Sequence, residues 1–258
     1  MNKYLEELER AGIDPNFWCA DEYFQRAGWS VHSSFGKVWA EDKDAGFVLP
    51  CLSLSGGFEM RGFDVWADLE GYEGMPLLTR EFLDYNFIYD PRNFLKMEGG
   101  DWAVFRKNSR KFAKRQTHPC FYTDRYHTVV CEEDIKGLFI SWLEGKEGEI
   151  HDDEVMLNYL LNGDNRKFLI DSDGELIGIN VWDENYKYIN FRYCICDSKP
   201  FLSEYMRLLF YTDAEILGKG KLVNDGGSLD NKALSDFKLK MNPVEIKNVY
   251  SWRRKDVG

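Results

Sequence analysis

The sequence predicts an α/β protein on a mixed sheet, and three neighbouring stretches predict it. Residues 187–197 (KYINFRYCICD) alternate Tyr188, Asn190, Arg192, Cys194 and Cys196 against Ile189, Phe191, Tyr193 and Ile195, the period of a strand with two unlike faces. A helix follows: Pro200 falls where a first-turn proline loses no hydrogen bond, and Leu202, Tyr205, Met206, Leu209, Phe210 and Ile216 recur at helical spacing until Gly218 and Gly220. Residues 221–224 (KLVN) then form a strand too short for a surface position. A strand, helix, strand unit of this kind makes a parallel pair.

The remaining elements follow in chain order. Residues 2–11 read as an amphipathic helix, Gly12 to Pro15 as a break, and 21–27 as a second short helix. Strands are expected at 37–40 and 46–54 around a turn at 41–44, and a third at 58–66 after Gly56–Gly57. Residues 77–89 are apolar enough for a buried helix passing into a strand, and Asp90–Pro91 ends it. Asp101 is placed to cap a helix over 102–115, with Trp102, Phe105 and Phe112 on one face. Residues 117–128 show little periodicity, so the boundary between two lobes, 1–122 and 123–258, is placed there. The second lobe begins with helices over 132–143 and 152–161, separated by the glycine-rich break 145–148. Its sheet starts at Lys167, with Asp171 to Gly174 as the first hairpin turn.

Composition narrows the function classes. With 44% hydrophobic and 16% aromatic residues in 258, most of the chain must fold to hide that surface. No apolar run approaches the roughly 20 residues of a membrane span, and the charged amino terminus does not read as a signal sequence, so a cytoplasmic protein is expected. The six cysteines include no C-x-x-C spacing, and Cys194 and Cys196 lie inside a strand that points both thiols the same way; buried reduced thiols are expected. The four histidines are scattered, so no metal site is expected. A net charge of -11 argues against a protein that simply coats nucleic acid. One island departs from it: Arg106, Lys107, Arg110, Lys111, Lys114 and Arg115 lie within ten positions. They read either as a polyanion-binding face or as a solvated face that neutralises the acidic body.

The order of elements from 176 to 252 resembles the core of the GCN5-related N-acetyltransferase (GNAT) superfamily. The tail 223–252 resembles one branch of it, the Fem-type aminoacyl transferases and the carboxy-terminal domain of phosphatidylglycerol lysyltransferases. In that branch a glycine-bearing loop, a short helix and an F-K block close the second of two GNAT-like lobes; here the block is Phe237, Lys238, Lys240 and Pro243. The first lobe matches more weakly, through Ser34–Phe35, Trp39, Pro50 and the basic run from Arg106 to Phe112. The resemblance implies two GNAT-like lobes in tandem, the second more complete, and an enzyme that moves an aminoacyl or other acyl group to an amine or hydroxyl.

Such an enzyme holds an activated carbonyl against the acceptor and supplies a backbone amide to the oxyanion where two parallel strands splay apart. In acetyl-CoA users a glycine-rich loop wraps the pyrophosphate at the start of the helix after the central strand. This chain has Ser198-Lys-Pro-Phe-Leu-Ser203 there, and Pro200 donates no amide. The donor is therefore unassigned, with aminoacyl-tRNA favoured over acyl-CoA and the basic helix as a contact for tRNA or other nucleic acid. The resemblance nominates Lys238 as facing the reaction centre. The residues themselves nominate Asp225 as a base or orienting carboxylate, and Arg192 as a buried cation that meets either a substrate anion or an internal acid such as Asp183 or Glu204. Asn190, Gly226, Gly227, Ser228, Lys240 and Tyr205 are the expected substrate contacts, and Tyr205 and Tyr211 read either as aids to a leaving group or as core packing. Two other readings stay open: a GNAT-like body without catalysis that binds a nucleotide or acidic ligand, and an acyltransferase acting on a modified nucleobase in DNA.

Overall fold

The computed structural model describes residues 1–34, 37–42, 47–53, 58–59, 64–67, 78–115, 120–124, 130–146, 153–228 and 231–254. Phe35, Lys43, Asp44, Gly56–Gly57, His118, His127 and His151 lie outside the described residues. The helices are α1 (Lys3–Arg10), α2 (Asp21–Arg26), α3 (Asn93–Lys96), α4 (Ala103–Arg115), α5 (Glu132–Glu144), α6 (Asp153–Asn162), α7 (Leu202–Tyr211), α8 (Ala214–Gly218) and α9 (Lys232–Leu239). In the first half the strands are β1 (Ser30–Ser34), β2 (Lys37–Asp42), β3 (Phe47–Ser53), β4 (Phe58–Glu59), β5 (Asp64–Ala67) and β6 (Leu78–Tyr89). The second half adds β7 (Phe121–Thr123), β8 (Asn165–Ile170), β9 (Leu176–Glu184), β10 (Tyr188–Cys196), β11 (Leu222–Asn224) and β12 (Glu245–Arg254).

All of these strands join one mixed sheet in the order β1-β2-β3-β5-β12-β6-β11-β10-β9-β8-β7, with β4 on β3. The order contains a repeat invisible in the residues. β1, β2 and β3 are antiparallel and β3 runs parallel to β5; β8, β9 and β10 are antiparallel and β10 runs parallel to β11. Each half's last strand is exchanged, β12 lying beside β5 and β6 beside β11, and the two pair antiparallel at the centre. The expected mixed α/β fold with GNAT-like halves in tandem is this arrangement.

Local sequence explains most of the elements. Asn2 caps α1, accepting the Leu5 amide, and Tyr4, Leu5 and Leu8 make its buried face. Residues 78–89 are strand throughout, not helix passing into strand. Their apolar run reads as either, and a position paired on both sides settles it. The helix expected to continue to Gly218 breaks in two. The Thr212 hydroxyl donates to the Leu208 carbonyl at 2.7 Å, and Asp213 then caps α8 through the Glu215 amide. The single strand expected at 58–66 is two, and β1, α3 and β7 were not anticipated.

Apolar side chains cover both faces of the second half. Tyr159, Leu160, Ile179 and Val181 pack with α1, α2 and α5 on one side. Phe87, Tyr89, Ile189, Phe191, Phe210 and Tyr211 pack on the other, with the Phe94 and Tyr211 rings stacked 4.0 Å apart.

Candidate active site

The parallel pairing of β10 with β11 runs only from Tyr188 opposite Leu222 to Asn190 opposite Asn224. Beyond that point the chain leaves β10 and follows β6 instead: the Asp225 amide donates to the Phe87 carbonyl at 3.0 Å and the Phe87 amide to the Gly226 carbonyl at 3.2 Å. Among the described residues the second half of β10 is thereby left without a partner strand on its β11 side, and a cavity of about 760 Å³ opens there. Asp225, Gly226 and Gly227 form one wall, residues 191–199 of the β10 end another, and Phe17, Trp18 and Trp142 a third.

A β-bulge controls what β10 presents. Phe191 faces Trp182 on β9 and Tyr193 faces Val181, so Arg192 is the extra residue between them. The bulge reverses the alternation. Ile189 and Phe191 pack on the α7 side, as do Cys194 and Cys196 beyond the bulge, whereas Tyr193 and Ile195 pack on the opposite side. The expectation that Asn190, Arg192 and Cys194 share one face is corrected accordingly.

Arg192 has an internal partner. Its Nε and Nη2 donate to the two Asp183 oxygens at 2.7 and 3.0 Å, in a carboxylate that also accepts Asn190 Nδ2 at 2.9 Å and Tyr159 Oη at 2.7 Å. The guanidinium lies between the rings of Phe17 and Tyr23, 4.4 and 4.6 Å from their centres. Of the two meanings open for a buried arginine, the structure takes the internal acid, Asp183, although Arg192 still lines the cavity. Asn190 is fully buried against Asp183 and lies off the cavity lining.

Asp225 and Lys238, nominated separately, form an ion pair. Lys238 Nζ stands 3.0 Å from Asp225 Oδ1, and Tyr211 Oη donates to Asp225 Oδ2 at 3.0 Å. A residue not anticipated, Arg207, completes the cluster with Nε 3.6 Å from Asp225 Oδ2 and Nη1 donating to Ser203 Oγ at 3.1 Å. The trace of it in the sequence is a line along α7, Ser203, Arg207 and Tyr211 at four-residue spacing, hidden among apolar neighbours. Lys238 also donates to the carbonyls of Asp225, Gly226 (3.3 Å) and Gly227 (2.8 Å). Burial pulls its pKa below the usual lysine value and the Arg207 charge pulls the same way, against the opposing attraction of Asp225. With a carboxylate and three carbonyls around one ammonium, Lys238 holds the glycine loop in place.

The loop needs its glycines. Gly226 has φ +62°, and a Cβ there would meet the Phe17 ring at 3.0 Å; a Cβ on Gly227 would sit 2.1 Å from Asp84 Oδ2. Asp84 fixes the far end by accepting the Ser228 amide at 2.7 Å and the Ser228 hydroxyl at 3.1 Å, which turns Ser228 away from the cavity lining. Lys240 is exposed past the end of α9 and Tyr205 packs its ring 5.1 Å from Phe112, so neither lines the cavity. Cys194 and Cys196, expected in the core, do line it and are partly exposed.

The basic helix α4 lies against α7, where Asn108 Nδ2 donates to Glu204 Oε1 at 3.0 Å. Lys111 and Arg115 sit 4.7 and 5.1 Å from the ring of Phe201, a cavity-lining residue that begins α7 with φ +69°. Lys107, Arg110, Lys114 and Arg115 are exposed, while Arg106 turns back to the Met97 and Gly99 carbonyls.

No protein family and no curated protein matches the chain by sequence. Solved structures do match. A conserved protein of unknown function from Bacteroides thetaiotaomicron superposes with a TM-score of 0.70 over 93% of this chain and 90% of its own, at 13% identity. L-PGS from Bacillus licheniformis matches with a TM-score of 0.62 over 100% and 93%, at 15% identity. FemX follows at 0.58 over 97% and 96%, with 8% identity. The chain shares their fold. It is the fold of the branch that residues 223–252 resemble, and no helix among the described residues is long and apolar enough to cross a membrane.

Proposed function

We propose that this chain is a cytoplasmic acyltransferase of GNAT type that moves an aminoacyl or other acyl group to an amine, with lobes divided at 122/123 and the reaction in the second. The observation that carries the reading is the abrupt end of β10–β11 pairing at Asn190 and Asn224, with the cavity beginning there. In this reading the donor carbonyl enters the gap, the β10 backbone past Asn190 stabilises the oxyanion, and the acceptor amine approaches along the cavity. Asp225 holds the cluster together: Lys238, Arg207 and Tyr211 all converge on it, and it keeps Arg207 beside the gap. Arg192 is a positioning residue, fixed by Asp183 and supporting Phe17 over Gly226.

Two features support aminoacyl-tRNA over acyl-CoA as donor. The start of α7 offers Pro200 and Phe201 in place of a glycine-rich phosphate loop, and Lys111 and Arg115 of the basic helix α4 sit against the cavity-lining ring of Phe201. The test incubates the protein with a mixture of charged tRNAs or with acetyl-CoA and small primary amines, and follows amide formation by mass spectrometry. Amide from charged tRNA that is lost in Asp225→Asn is the expected result; no amide from either donor refutes the reading. Reversing Lys107, Arg110 and Lys114 to Glu leaves folding stability within about 0.5 kcal/mol. It weakens tRNA binding and lowers its salt slope by about 0.9 for each phosphate contact removed.

A further inference from the structure

The acyl site carries two nucleophiles that the proposed function does not use. Cys194 and Cys196 stand on the stretch of β10 that β11 leaves unpaired, and both line the cavity. The bulge at Arg192 sets them on the α7 side of the sheet, the side from which Arg207 reaches Asp225. Both residues are half-buried and belong to the cavity lining. The Cys196 thiol donates a hydrogen bond to Cys194, which draws the Cys194 thiol below the ordinary cysteine value; the Arg207 charge adds to this, against burial and the charge of Asp225. Cys196 is pushed upward by the same bond and remains the protonated donor. The glycine loop and Lys238 line the same cavity.

We propose that Cys194 takes the acyl group as a thioester before the amine does, with Cys196 as its hydrogen-bond donor. The step rests on the acyl-transfer reading and on an activated acyl ester as donor. The Cys194 sulfur attacks the acyl carbon; an S–C bond forms, the ester C–O bond breaks, and the departing oxygen takes the proton that the Cys194 thiol gave up. In the second step the amine nitrogen attacks the thioester, an N–C bond forms, the S–C bond breaks, and the thiol recovers its proton from the amine.

The test uses 4-nitrophenyl acetate, a small activated ester that asks nothing of donor recognition. Intact-mass and peptide analysis is expected to find one acetyl group on Cys194, removed by neutral hydroxylamine and by added primary amine. Exposed Cys131 is replaced by Ala in every sample to remove its background. Cys194→Ala abolishes the labile adduct, Cys194→Ser keeps the fold by thermal melting and forms none, and Cys196→Ala slows acetylation by about tenfold, the worth of one hydrogen bond. An unmodified Cys194, or a Cys194 adduct that amines do not discharge, overturns the proposal. Amide formation from charged tRNA, measured alongside, separates the two ideas. Transfer that persists in Cys194→Ala removes only the thioester step, whereas no transfer in the unaltered protein removes the transferase reading.

Discussion

Replacing Lys238 by Met keeps the aliphatic stem beside the Phe87 ring, 5.8 Å from the ammonium, and removes only the charge. Asp225 then keeps Arg207 at 3.6 Å and Tyr211 at 3.0 Å, and the carbonyls of residues 225–227 lose a common donor. Breaking one side of a buried ion pair costs about 3–5 kcal/mol. In a domain of this size that is a drop of roughly 10 °C in melting temperature. Asp225→Asn removes the same pair from the other end, and its cost is of the same order. Because each substitution destroys one shared interaction, the double variant Lys238→Met/Asp225→Asn is expected to fall short of the summed single effects by about 1.5–3 kcal/mol. Urea denaturation of the four proteins gives this coupling directly. Additivity to within about 0.5 kcal/mol refutes the claim that Lys238 and Asp225 form one unit, and with it the assignment of Lys238 as the clamp of the glycine loop.

Three further outcomes follow from the same geometry. Asp14 accepts Lys187 and Lys247, the latter at 2.6 Å; these bonds outweigh burial and hold its carboxyl below the usual range. Its contribution is thus present above the unfolded value and lost as pH falls through the lower folded one, so the stability gap between the unaltered protein and Asp14→Asn closes below about pH 4 in acid titrations monitored by circular dichroism. Gly227→Ala drives a methyl into Asp84, costs about 1–3 kcal/mol, and weakens whatever binds in the cavity, as a denaturation curve and a ligand titration report. Arg192→Lys replaces a two-point bond to Asp183 with a single one, so it destabilises nearly as much as Arg192→Met, by about 3–5 kcal/mol; an unchanged urea midpoint in the Lys variant contradicts this.

Much of this was legible in the chain. The alternation in 187–197 and the short KLVN segment foretold two parallel strands. Asp225 and Lys238, nominated on different grounds, proved to be in contact at 3.0 Å. Other features had no local signal. Leu78–Tyr89 reads as helix or strand equally well, because its identity is set by β11 and β12, which lie more than a hundred residues downstream. The exchange of β6 and β12 between the halves is a fact of pairing that no residue announces. Ser228 and Lys240 were named for closeness in sequence, yet Asp84 turns the first inward and the end of α9 leaves the second in solvent.

The bulge at Arg192 shows how one residue of register decides the chemistry of a site. Counted in twos, Arg192, Cys194 and Cys196 share a face, a cation beside two thiols in what would be a polar stripe. With one extra residue the arginine turns to Asp183, Phe17 and Tyr23, and the thiols turn to Phe191, Arg207 and α7. A buried guanidinium is costly without a carboxylate, and from the bulged position Arg192 reaches Asp183 on β9 with two nitrogens. The ion pair therefore holds the bulge as much as the bulge places the ion pair. Removing Asp183 is then expected to change which face carries the thiols, which a thiol-labelling rate at Cys194 in Asp183→Leu/Arg192→Met, compared with the unaltered protein, registers directly. An unchanged rate means that the backbone keeps the bulge without the pair.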